Sequence, residues 1–382
     1  MNHRDLIPTG AQTNSKSAAA YPPNAPAYVT EASGPYTWGS DGKRYIDCTS
    51  ALGAIILGHG DFRVSEAARA QLERGQSFSL ASDIEYRLAE RMVNLIPGME
   101  MVKFGKNGCD VTGAAVRLAR AHTGRDLIIY NGYHGHHDWS MSYPPKDGGV
   151  PKWAGMCSFK LPDQKLEPII QRVVERKPAA LVMEPVVSAD PIIHPRYYWQ
   201  EIRRICDEAG TLLILDEIVT FGRIGFPGAV SEWGIEPDLW CGAKCLGNGW
   251  PITAILGKRE VMKRIEEDVF YSTTFAGEAV SMAAALACLD QLESLGPPKR
   301  IGRLWADAVE RAAEKHNLPL RVVGYDARPV LRDMPEGLLS AMIDEGILCQ
   351  GYLNATWAHE AVIGELIRGT ERAIERVATG KG

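Results

Sequence analysis

Three uninterrupted apolar runs dominate the chain: LIIY at residues 127–130, AALVM at 179–183 and LLIL at 212–215. None alternates with polar residues, so each reads as a strand buried on both faces. The stretches between them carry apolar residues at helical spacing. One helix is expected near residues 165–176. Another is expected over YYWQEIRRICDEA, stopped by Gly210 just past its end. Buried strands separated by helices argue for an α/β core around a parallel sheet.

On either side the pattern changes. AYVTEA, PYTWG and RYIDC alternate, and Asp41-Gly42 lies in the turn before the last, so a small antiparallel meander is predicted. Helical spacing runs over residues 63–95 with a break at 75–82. Strand-like MVKFG then leads into a helix with Val111, Ala114, Ala115, Leu118 and Ala119 on one face. The alanine-rich AVSMAAALACLDQLESL predicts a helix that stops at Gly296-Pro297-Pro298, a lobe boundary. The expected organisation is an arm and meander over 1–47, a large domain over 48–296, and a small C-terminal lobe over 297–382. The first 24 or so residues, rich in Ser, Ala, Asn and Pro, read as a mobile segment or as an arm that orders on a partner.

Composition narrows the function without naming it. Apolar and charged fractions of 45% and 23% over 382 residues describe an ordinary globular protein. A net charge of -5 with no basic block points away from nucleic acid and anionic membranes. Eight cysteines stand singly with no CxxC pair, a pattern of reduced thiols rather than of a disulfide frame. The first residues are polar, without the apolar stretch of a secretory signal, so a cytoplasmic protein is expected.

Candidate chemistry gathers at element ends. Lys244 follows Gly242-Ala243, with Gly247, Gly249 and an apolar run over 252–256 behind it. An amine on such small surroundings can meet a flat ligand and form a Schiff base, or it is an exposed lysine in a turn. The residues Gly105 to Asp110 join a strand to a helix, where backbone amides bind phosphate well, unless the segment is a turn capped by Asp110. Tyr133 and His134 follow a buried strand at the sheet edge where ligands bind. Tyr133 offers a flat face to an aromatic cofactor, or is an ordinary turn aromatic. The histidines 134, 136 and 137 lack the spacing of helical metal ligands, and no metal is expected. Asp216 and Glu184 end buried strands, positions that demand a cationic or hydrogen-bonding partner: a cap, an internal ion pair or a cofactor. Thr273 and Thr274 present hydroxyls to a phosphate or cap the alanine-rich helix.

Taken in order, these signals resemble the class III, fold-type I pyridoxal 5′-phosphate (PLP) aminotransferases, most closely the glutamate-1-semialdehyde aminomutase-like branch. The resemblance runs from SGPYTWGSDGKRYID to the final helix and is most specific in AAVRLARAHTGR, YHGHHD, LDEIVTFGR and the lysine segment. It implies a large domain with a mostly parallel central sheet flanked by helices, and a small α+β domain built from both termini. By position, Lys244 is the Schiff-base lysine and proton shuttle, Asp216 the partner of the pyridine nitrogen, and Tyr133 the ring-stacking residue. Ile218 packs on the ring's other face. Asn107, Gly108 and Cys109 stand where the family has Ser-Gly-Thr at the phosphate, with His134 and Glu184 among the cofactor contacts. Thr274 matches the threonine that reaches the neighbouring subunit's phosphate, which implies a homodimer.

Two departures bear on the reaction. The aminomutases bind the substrate carboxylate with an arginine in Asn-Ser-Pro-Val-Arg, whereas here Asn14-Ser15 is followed by Lys16, Ser17 and Ala18. Their tryptophan near Gly-Pro-Met-Ile-Leu-Gly is Leu52 here. These changes favour intermolecular transfer from an amine or amino acid, including a terminal ω-amine, to an oxo acid or aldehyde. The intramolecular aminomutase is the alternative. Arg328 and Arg332 are candidate carboxylate binders, or simply solvated arginines.

Overall fold

The computed structural model describes residues 3–380. The chain forms two compact units, Met1–Phe62 with Pro297–Gly382, and Arg63–Gly296.

The first unit opens with the expected meander: β1 (Val29–Ser33), β2 (Tyr36–Gly39) and β3 (Arg44–Asp47), antiparallel in sequence. Residues before it are held to the C-terminal part of the same unit. Asn24 donates to the Ser340 carbonyl and to Asp344, both at 2.8 Å, and Gln350 donates to the Ser15 carbonyl at 2.7 Å.

The second unit carries a seven-stranded sheet. Its strands are β4 (Met101–Gly105), β5 (Ile128–Tyr130), β6 (Ser158–Lys160), β7 (Ala180–Met183), β8 (Leu212–Asp216), β9 (Leu239–Gly242) and β10 (Thr253–Gly257). They lie in the order β4-β10-β9-β8-β7-β5-β6. Neighbours from β9 through β6 are parallel, and only β10 runs against both β9 and β4. The reason is local. The link from β9 to β10 is too short for a helical crossover, so the strand must return beside its predecessor. The three apolar runs of the sequence are β5, β7 and β8, and helices cover the sheet. The Gly108–Thr123 helix buries Val111, Ala114, Ala115, Leu118 and Ala119 in one cluster with Ile128, Val182, Ile214 and Ile255. Gly210 ends the Arg196–Ala209 helix at φ 60°, the left-handed cap that glycine takes without a Cβ penalty.

The C-terminal part of the first unit adds the hairpin β11 (Arg321–Tyr325) and β12 (Arg328–Arg332) and the short β13 (Ile347–Leu348), which pairs parallel to β3. The Lys299–Lys315 and Ile363–Thr379 helices share a core of Trp305, Val309, Leu366 and Ile374. Trp305 Nε1 donates to Thr370 Oγ1 at 3.0 Å, so the buried indole N–H is satisfied.

Candidate active site

Because β10 alone is reversed, the C-terminal ends of β4, β5, β7, β8 and β9 share one edge of the sheet, the edge where α/β proteins bind ligands. Gly105, Glu184, Asp216 and Lys244 end or follow four of those strands, and Tyr133 follows the fifth. Asp216 is paired with Cys241 across β8 and β9, which sets Lys244 three positions further along the neighbouring strand. Lys244 adopts φ 49° and begins a short 3₁₀ turn, a conformation that costs a non-glycine residue on the order of 1 kcal/mol.

Asp216 is buried and fully engaged on its protein side. Its Oδ2 lies 2.7 Å from His134 Nδ1, and its Oδ1 accepts the Ile218 amide at 3.0 Å. The other ring nitrogen of His134 points at the Asn131 carbonyl. One ring nitrogen faces a carbonyl that can only accept and the other a carboxylate, an arrangement that favours the protonated ring. Burial alone pulls its pKa down, but the hydrogen bond and charge of Asp216, with Glu184, more than restore it and leave it raised. Glu184 sits under the same loop. Its carboxylate accepts the Tyr133 amide at 2.9 Å and Ser188 Oγ at 2.8 Å, while burial pushes its pKa up.

A cradle of backbone lies beside it. Asn107 caps the Gly108–Thr123 helix, and Asp110 accepts the amides of Lys106 and Asn107 at 2.9 and 2.8 Å. The next amides, of Gly108 and Cys109, have no carbonyl one turn earlier to bond and are the natural anion donors. A Cβ on Gly108 would come 2.8 Å from Ile218 Cδ1, and one on Gly135 would come 2.5 Å from Cys109 Cβ. Ile218 and the Tyr133 loop thus press onto the same helix start. Tyr133 itself is 62% exposed, an aromatic face left open above the cradle's loop.

The sequence-predicted residues Asn107, Gly108, Cys109, Tyr133, His134, Glu184, Asp216 and Ile218 are therefore linked by direct contacts, and Lys244 joins them through strand register. Thr274 is exposed, and among the described residues no hydrogen bond ties it to the others. The capping alternative for Thr273 and Thr274 is corrected. Glu278 caps the Ala279–Leu295 helix, accepting from Val280 and Ser281, because it immediately precedes the first turn. In the other unit Arg328 is buried, with its guanidinium 4.9 Å from the Tyr352 ring centroid, and Arg332 is half-buried. Sequence reasoning did not foresee His134 as the counter-ion of Asp216. It also overlooked the close grouping of Cys109, His136 and His137.

A mostly parallel sheet with an acid and a lysine on adjacent strand ends, and an anion cradle beside them, defines a fold-type I PLP enzyme. The residues fit that cofactor: a cradle without side chains for a phosphate, an open tyrosine face for a ring, and a buried carboxylate for a protonated nitrogen. The chain belongs to the class III aminotransferase family, whose model matches residues 17–324.

Two glutamate-1-semialdehyde 2,1-aminomutases are similar to it. That of Syntrophobacter fumaroxidans is 37% identical over 304 residues, spanning 75% of this chain and 70% of its own. That of Methanothrix thermoacetophila is 35% identical over 370 residues, spanning 92% and 85%. Among solved structures, the FumI protein of Sphingopyxis sp. MTA144, in its PLP internal aldimine form, superposes with a TM-score of 0.91 at 28% identity over 98% of this chain and 94% of that one. No described helix is long and apolar enough to cross a membrane.

Proposed function

We propose that this enzyme moves an amino group at the sheet edge described above, with Lys244 as the residue that carries the cofactor and shuttles the proton. The observation that supports it most directly is the Asp216–His134 pair at the end of β8, one strand away from Lys244. When bound there, PLP supplies an aldehyde for the incoming amine and a ring that accepts the electrons of the bond being broken. Asp216 would meet the ring nitrogen and favour its protonated form, with His134 holding the Asp216 side chain in place. The amides of Gly108 and Cys109, with Asn107, would hold the phosphate. Tyr133 and Ile218 would pack against the two faces of the ring. Lys244 would hold the cofactor, and its amine would serve as the base that moves a proton at the substrate carbon.

A second copy completes the site in this reading. Thr274 of that copy would reach the phosphate. Phe270 and Phe275, 75% and 61% exposed on either side of Thr274, are apolar surface of the kind a subunit contact covers. Eight free cysteines are compatible with a reducing, cytoplasmic setting.

The names of the two relatives favour an intramolecular aminomutase of the glutamate-1-semialdehyde type, and that reading takes first place over intermolecular transfer. A specific observation keeps the second reading alive. Lys16, Ser17 and Ala18 replace the segment holding the aminomutase arginine, and Leu52 replaces the tryptophan. Incubation with glutamate-1-semialdehyde alone separates the two. Isomerisation to 5-aminolevulinate without any acceptor supports the aminomutase. No turnover there, with amino transfer between a separate donor and an oxo acid, replaces it by the aminotransferase. Failure of every amine to react overturns both.

A further inference from the structure

We infer that Cys109, His136 and His137 form a binding site for a thiophilic divalent cation of the zinc class. One ligand atom from each residue lies within 4.8 Å of the other two. Two glycines make this grouping. Gly135 holds φ 106°, and a Cβ there would fall 2.5 Å from Cys109 Cβ, so the loop backbone lies directly on the helix start. A Cβ on Gly113 would fall 2.6 Å from His137 Nδ1, so the His137 ring rests on the helix surface that Gly113 leaves bare. Residues 27 and 28 positions apart in sequence are thereby brought to one point.

The ligand chemistry sets the class of ion. One thiolate and two imidazoles suit zinc, cobalt or copper, and disfavour magnesium and calcium, which take oxygen ligands. Three protein ligands leave one tetrahedral position for water or a small anion. On binding, Cys109 Sγ gives its proton to solvent and a sulfur–metal bond replaces the S–H bond.

An ion has a path to the site. His136 is exposed and His137 half-buried, and both line an open cavity of about 520 Å³ with Asp138, Trp139 and Trp153. Cys109 also contributes its amide to the proposed phosphate cradle, so an occupied site would couple metal to cofactor. That coupling rests on the function proposed above, whereas the metal site does not.

Titration of the purified full-length protein with Co²⁺ tests the site directly. The expected result is one ion per chain, with the visible absorption of a tetrahedral thiolate complex, displaced by Zn²⁺. Cys109→Ser should abolish the sulfur-to-cobalt band. His136→Asn, a surface change that leaves folding intact by circular dichroism, should weaken binding at least about tenfold. No visible band in the parent protein, or affinity in both variants equal to that of the parent, overturns the assignment. Zn²⁺ release of PLP from the loaded parent but not from His136→Asn would support the coupling. PLP retention with metal bound overturns the coupling alone.

Discussion

His134 Nδ1 lies 2.7 Å from Asp216 Oδ2, with both side chains buried, and the second ring nitrogen of His134 faces the Asn131 carbonyl. The acid of the proposed site is thus held by a buried imidazole whose pKa is raised, and losing that ring would leave buried acceptors without their partner. Replacing His134 with Asn should cost about 3–5 kcal/mol, the penalty for stripping one member from a buried pair. Urea unfolding of parent and variant would measure it, and a cost below about 1 kcal/mol would contradict the pairing.

The same pair fixes a pH dependence. His134 has its pKa raised on folding, burial opposing the shift and Asp216 and Glu184 more than overcoming it. A raised folded pKa gives stability that is fully present below the unfolded value, about 6.5, and is lost as pH rises through the folded value. Parent stability should therefore decline from near neutral pH upward more steeply than that of His134→Asn. Parallel slopes in thermal unfolding over that range would count against a cationic His134.

On the acid side Asp238 should matter instead. It accepts from Arg203 at 2.9 Å, Lys258 at 2.5 Å and the Leu213 amide at 2.8 Å, joining β8, the Arg196–Ala209 helix and the end of β10. Burial pushes its pKa up, but Arg203 and Lys258 outweigh burial and leave it lowered. Its contribution is present above the unfolded pKa, about 3.9, and is lost as pH falls through the folded one. Asp238→Asn should flatten the acid limb of the stability curve and cost a few kcal/mol at neutral pH, on the order of 3. An unchanged acid limb would refute the assignment.

Gly135→Ala tests how the cradle is built. The new methyl would meet Cys109 Cβ at 2.5 Å at a residue with φ 106°. We expect a loss of about 1–3 kcal/mol in stability. PLP affinity, followed by fluorescence quenching, should fall in parallel. Gly148→Ala, where a Cβ meets nothing within 4 Å, serves as the control and should change neither.

Much of this architecture was legible because burial on both faces leaves a plain mark. β5, β7 and β8 are the three apolar runs, and the helix after β4 announced its buried face through alanines. Less visible were β6 and β9, three and four residues long, whose polar, tryptophan and cysteine content gives no period. The reversal of β10 is a consequence of a short link, not of composition. At the site, strand-end residues such as Asp216 and Lys244 could be picked out by position. The role of His134 could not, because it depends on where the Asn131 carbonyl points. The grouping of Cys109 with His136 and His137 was hidden for a related reason: it depends on the close approach that Gly135 and Gly113 allow between loop and helix, and no spacing along the chain encodes that closeness.

The central claim is that Lys244 carries the cofactor opposite Asp216. Borohydride reduction of the PLP-loaded protein, followed by peptide mass spectrometry, examines it directly. The account predicts a pyridoxyl-phosphate adduct on the peptide containing Lys244, absent from Lys244→Ala. An adduct on another lysine, or a cofactor absorption unchanged by Lys244→Ala, would contradict it.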